Sequence, residues 1–164
     1  MKLTIQTGET NEILRTISTE VTKEQLKDVL PTGKEMLKWL KSKKNGAGLA
    51  APQVGLNKRM IVVNLYEEEE GEWHIYKTLL MINPVITWKS QDMVLDEEGC
   101  FSCPNQYGNV LRPNKIQLEF RDERFLLKKL ELDSFSGRVV QHEIDHLDGV
   151  LFVDKVVGEM VMEG

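Results

Sequence analysis

The feature that most constrains this chain is the segment His142-Glu143-Ile144-Asp145-His146. If the segment is helical, the two histidines share one face, because side chains at i and i+4 are neighbours one turn apart. Their imidazoles can then grip a single cation, so the fold must pack this helix against whatever supplies the remaining ligands. Glu143 stands beside the pair, placed to take a proton from a metal-bound water while staying out of the coordination sphere. The chain has three histidines, and two of them fall at this spacing around a glutamate. The longer pattern HExxHxxGxxH is not continued: Gly149 is in register, but Phe152 stands where the third histidine belongs. A third ligand is therefore expected upstream.

Upstream lies Glu97-Glu98-Gly99-Cys100-Phe101-Ser102-Cys103-Pro104. A thiolate from Cys100 or Cys103 would complete a three-ligand site and leave one position for water, as catalysis requires. The same CxxC allows two rivals, a closed Cys2His2 structural zinc and a redox dithiol. The redox reading lacks a surrounding βαβ pattern. A structural zinc has no use for Glu143, and a chain of 164 residues that is 41% hydrophobic has core enough to fold without a metal. That length predicts a single domain over residues 1–164. The formal charge of −5 argues against a nucleic-acid partner. No apolar run has the length of a membrane span, and Met1-Lys2-Leu3-Thr4 has no signal-peptide character, so a soluble, cytoplasmic protein is expected.

Along the chain, Leu3-Thr4-Ile5 suggests a short edge strand. Leu26, Leu30, Leu37 and Leu40 recur at helical spacing within 23–44, and Pro31 predicts either a kink or a second helix beginning there. Gly46-Ala47-Gly48-Leu49-Ala50-Ala51 satisfies a relaxed dinucleotide fingerprint, but a Lys-rich helix precedes it where a strand is needed. Its small residues would instead let a backbone approach an extended ligand. The runs 60–65 and 79–86 read as buried strands flanking a loop with the acidic run 67–70, and 116–120 with 127–132 as a second pair. His74 is expected at the surface. A helix capped by Asp133 or Ser134 should run to about Leu147, with Gly149 just beyond. The predicted class is α+β: small antiparallel β-sheets packed around a C-terminal HExxH-bearing helix, with a second, N-terminal helix.

Three stretches, in this order, resemble the peptide deformylase family: Gly46-Ala47-Gly48-Leu49-Ala50-Ala51-Pro52-Gln53, Glu98-Gly99-Cys100-Phe101-Ser102 and Gln141-His142-Glu143-Ile144-Asp145-His146. They match the family's GxGLAAxQ, EGCxS and QHExDH motifs, and the similarity extends from Asn11 to Phe152. The resemblance implies hydrolytic removal of the formyl group from the N-terminal formyl-methionine of nascent polypeptides, with release of formate. It implies one divalent metal on Cys100, His142 and His146. Iron(II) is the usual physiological ion, and zinc, nickel or cobalt suit the same donors. Glu143 would act as general base and acid, with the Gln53 side-chain amide and the Phe101 backbone N–H stabilising the developing oxyanion. The substrate-binding residues carried over are Gly46, Ala47, Gly48, Glu98, Gly99, Phe135 and Val139. Gly46, Ala47 and Gly48 would align the peptide as an added strand, while Gly46, Ala47, Glu98, Phe135 and Val139 would surround the methionine side chain.

Departures from the family pattern also carry expectations. Cys103 replaces a usually aliphatic residue and is not expected to be a ligand. Tyr107 stands where many bacterial members have an arginine, which bears on peptide preference. The segment 156–164 does not read as the long C-terminal helix that contacts the ribosome in many members, so docking by that route is not expected. The chain is expected to act as a monomer on formyl-methionyl peptides, without nucleic acid or membrane. Asp145 is expected either to support a ligand or to pair with Arg112.

Overall fold

Met60-Ile61-Val62-Val63-Asn64-Leu65 shows no polar alternation because both faces of its strand are covered. A computed structural model describes residues 2–163. Two helices precede the first strand, α1 (Glu12–Arg15) and α2 (Leu26–Lys41). The strands β1 (Gly48–Ala50), β2 (Met60–Glu69), β3 (Glu72–Lys89), β4 (Met93–Cys100), β5 (Cys103–Pro113), β6 (Lys115–Arg121) and β7 (Leu127–Asp133) follow, with a 3-10 turn at Ala51–Val54 after β1. Next come α3 (Ser134–Leu147) and a short C-terminal strand, β8 (Val161–Met162). The described strands form an antiparallel five-stranded sheet in the order β1-β2-β3-β6-β7 and a three-stranded sheet in the order β4-β5-β8. The predicted α+β class with antiparallel sheets holds.

Alternation along β2 divides the core. Ile61, Val63 and Leu65 face α3 and pack with Val140, Ile144 and Leu147. Met60 and Val62 face the other way, against Val29, Met36 and Leu40 of α2. Successive side chains of a strand point to opposite faces, so one apolar run serves two helices. The HExxH helix thus lies directly on the large sheet.

Several expectations change in detail. Pro31 does not split α2, which is one helix from Leu26 to Lys41. The proline leaves only the Lys27 carbonyl without its donor, and Lys27 is exposed, so water can satisfy it. Leu3-Thr4-Ile5 is not a strand. Leu3 and Ile5 pack against the α2 cluster as loop residues, and the neighbouring Gln6 N–H donates to the Gln53 carbonyl at 2.7 Å. Residues 67–69 of the acidic run continue β2 to its end, and Glu70 enters the turn. The hairpin tip is Glu70-Gly71, both with positive φ, as a two-residue turn between twisted strands demands. Asp133 occupies the α3 cap position without a side-chain hydrogen bond, and the Ser134 N–H donates to the Asn114 carbonyl at 3.0 Å. Strands β4 and β5 were not expected, because Asp96-Glu97-Glu98 hides the strand pattern.

Candidate metal centre

Helix α3 presents His142 and His146 one turn apart, and the end of β4 brings Cys100 to them. The ligand atoms of these three residues all lie within 4.8 Å of one another. Cys100 Sγ is 3.3 Å from His146 Nε2. Cys103 stands outside this donor set and is buried with Leu14, Val110, Leu151 and Phe152. His74 lies in the β2–β3 hairpin opposite Glu67, exposed and outside the donor set.

The His142 ring is fixed from behind. Its Nδ1 lies 2.8 Å from Glu98 Oε1, leaving Nε2 for the cavity side. Glu98 also accepts from Arg112 Nη2 at 2.9 Å on Oε1, and from Arg112 Nε and Arg138 Nη1 on Oε2, each at 2.6 Å. Burial opposes charge on this carboxyl, but hydrogen bonds from Arg112 and His142 win and hold it well below the usual carboxylate range. It is therefore ionised, and His142 Nδ1 donates to it. Arg112 reaches on to Asp145 Oδ2 at 2.9 Å, which realises the expected pairing. Glu98 was expected in the methionine pocket. It does border the cavity, but its carboxylate is committed to the two arginines and His142.

Arg138 escaped the sequence reading. It lies four residues before His142, on the same face of α3, and a cation at that position within an otherwise buried stripe is the signal that could have found it. Its partner, Glu98, is 40 positions away in sequence.

Glu143 is 4% exposed, and its Oε1 has no hydrogen-bond partner. Burial pushes its carboxyl up to about 7. Gly48 explains how the carboxylate fits: a Cβ at that position would lie 2.8 Å from Glu143 Cγ and Oε2. Burial holds His146 well below its ordinary value, which keeps it neutral, as a ligand must be. One sulfur and two imidazoles, with a buried, unpartnered carboxylate oxygen beside them, fit a divalent transition metal.

A cavity of about 550 Å³ opens over these groups. Ala47, Gly48, Gln53, Glu98, Gly99, Cys100 and Phe101 line it together with Phe135, Val139, His142 and Glu143. Gly46 lies behind the wall, its carbonyl accepting from Asn64 Nδ2 at 2.8 Å. Gln53 is held by the Ala50 N–H, which donates to its Oε1 at 2.9 Å. Gln53 Nε2 then donates to Ser102 Oγ at 3.1 Å and lies 3.6 Å from Cys100 Sγ. Phe101 meets Trp39 edge to face with 4.8 Å between ring centres, and Phe135 packs on Tyr66. Tyr107 borders the cavity against Gly99. The sequence-predicted site residues therefore gather around one cavity, with Gly46 and the buried His146 set behind its surface.

Comparison with known proteins agrees with this geometry. The family model described as polypeptide deformylase matches residues 3–160. A peptide deformylase of Synechocystis is 46% identical over 123 residues, covering 75% of this chain and 63% of that protein. The chain thus spans under two thirds of that curated relative. A crystal structure of a probable peptide deformylase from Synechococcus phage S-SSM7 is 46% identical with a TM-score of 0.80, covering 94% of this chain and 99% of that one. A Met-Ala-Ser-bound class I type b peptide deformylase from Acinetobacter baumannii is 30% identical with a TM-score of 0.85, covering 95% and 99%.

Proposed function

The chain belongs to the polypeptide deformylase family, and we propose that it hydrolyses the N-formyl group from formyl-methionyl ends of nascent polypeptides, releasing formate. The observation that carries this reading is the convergence of Cys100, His142 and His146 within 4.8 Å beside the unpartnered Glu143 carboxylate. We infer that these three residues hold one divalent cation, with iron(II) as the physiological ion. The chemistry supplied there by such a cation is polarisation of the formyl oxygen and acidification of a water toward a pKa of about 7.

The chain's own groups account for the rest. Glu143 takes the proton of the attacking water and returns it to the departing amine. A carboxyl raised to about 7 is suited to both transfers near neutral pH. Gln53 is pinned through its Oε1, so its Nε2 is pre-aimed at the site. There it donates to the oxyanion that develops on the formyl oxygen, alongside the Phe101 N–H, and one such donor contributes about 3 kcal/mol. Glu98 holds the His142 ring, and Arg112 and Arg138 hold Glu98. The methionine side chain lies against Phe135 and Val139, and the peptide backbone runs along Ala47, Gly48 and Gly99, with Gly46 behind them. That the Acinetobacter relative binds Met-Ala-Ser supports a methionine-headed peptide as the ligand.

The test is formate release from formyl-Met-Ala-Ser by protein loaded anaerobically with iron(II). Turnover is expected, and Glu143→Gln should lower kcat by about 10²–10⁴-fold while binding the same amount of metal. Absence of formate, or a Glu143→Gln variant at the parent rate, would sink the proposal.

A further inference from the structure

We propose that Cys103 is a resolving thiol for Cys100, and that the pair closes a reversible disulfide across the β4–β5 turn. Cys100 and Cys103 are cross-strand partners in the β4–β5 ladder, with only Phe101-Ser102 between them. Residues directly opposite in an antiparallel pair direct their side chains to the same face, with Cα atoms about 4.5–5.5 Å apart. That separation falls within the roughly 4.4–6.8 Å that a disulfide spans. Both side chains pack into one cluster with Leu14, Val110, Leu151 and Phe152. The turn therefore needs no backbone rearrangement to bring the two sulfurs together.

The two thiols differ in access. Cys100 is half-buried on the cavity wall, whereas Cys103 is 2% exposed. Both border the cavity, and an oxidant entering it meets the more exposed Cys100 first. With hydrogen peroxide as the oxidant, the Cys100 sulfur attacks one oxygen, the O–O bond breaks, and a sulfenic acid and one water result. The Cys103 sulfur then displaces that oxygen as a second water: the S–O bond breaks, the S–S bond forms, and both protons leave in water. Two electrons pass from the sulfurs to peroxide. A thiol reductant reverses the step by exchange. Without a partner thiol, Cys100 would continue to the sulfinic and sulfonic acids, which thiols do not reduce. On the reading of Cys100 as a ligand, the disulfide removes the only sulfur from the donor set and releases the cation, while Cys103 protects the site from permanent damage.

The test uses the full chain loaded with zinc(II), treated with hydrogen peroxide, and followed by intact mass and by a metal-release chelator. The parent protein should lose about 2 Da and release its zinc, and a dithiol reductant should restore both mass and zinc binding. Cys103→Val, with Cys103→Ala as a second variant should valine fit poorly, should instead gain about 32–48 Da and not recover. Oxygen addition to the parent without loss of about 2 Da, or full recovery of both Cys103 variants, would overturn the proposal. A protein that loses about 2 Da yet keeps its zinc supports the disulfide but removes Cys100 from the donor set.

Discussion

Glutamine in place of Glu98 keeps the side chain's shape and removes its charge. Four N–H donors converge on this carboxylate, two on each oxygen: Arg112 Nη2 and His142 Nδ1 on Oε1, Arg112 Nε and Arg138 Nη1 on Oε2. Whichever way a glutamine amide is turned, its NH2 faces two of those donors. The change also strips the counter-charge from two guanidiniums whose side chains are 3% and 7% exposed. Removing one partner of a buried ion pair costs about 3–5 kcal/mol. Remaining contacts soften this: Arg112 keeps Asp145, and Arg138 keeps the Val94 and Val110 carbonyls at 2.7 and 3.0 Å. The lower end, about 3 kcal/mol, is therefore expected. For a chain of this size that lowers the thermal midpoint by roughly 6–12 °C. Circular dichroism melts in excess chelator isolate the protein's own stability. In parallel, metal affinity should fall about 10–100-fold, because the His142 ring loses its orienting acceptor. A midpoint within about 2 °C of the parent would refute the reasoning. Pairing Glu98→Gln with Arg138→Met should cost less than the sum of the two, since one donor and one charge leave together.

Two further perturbations test other parts of the structure. Gly48→Ala would place a Cβ 2.8 Å from the Glu143 carboxylate, and a displacement of about 1 Å should lower kcat about 10²-fold with the thermal midpoint little changed. Activity equal to the parent would show that Glu143 has room to move. Asp154 is held below its ordinary value by a hydrogen bond from Arg15 Nη1 at 2.6 Å. A carboxyl lowered on folding stabilises fully above its unfolded value of about 3.9, and that stabilisation is lost as pH falls from there through the folded value. The midpoint difference between the parent and Asp154→Asn should therefore be larger at about pH 7 than at about pH 3. The side chain is 39% exposed, so the effect is small and weakened by salt. A difference that does not change with pH would contradict the assignment.

The chain itself determined whatever depends on short-range periodicity. The spacing of His142 and His146 put two imidazoles on one face, because the helical repeat is the same wherever the helix sits. The unbroken apolar run 60–65 marked a strand covered on both faces, whereas 79–86 is covered mainly in its first half, with Val85 exposed. The small residues around Gly48 announced a close approach without naming the group, Glu143, that comes near. Tertiary structure alone decided the long-range pairings. Cys100 and Cys103 face the same way from one turn, and only the seating of that turn against α3 brings Cys100 among the imidazoles. Glu98 borders the cavity as expected, but its carboxylate is taken up by Arg112 across the β4–β5 hairpin and by Arg138 from α3. Strands β4 and β5 lay hidden under charges that the local pattern assigns to solvent. A carboxylate with two guanidiniums beside it is stable when buried, and which residues meet in that way follows from sheet order and hairpin register, which no local window of sequence contains.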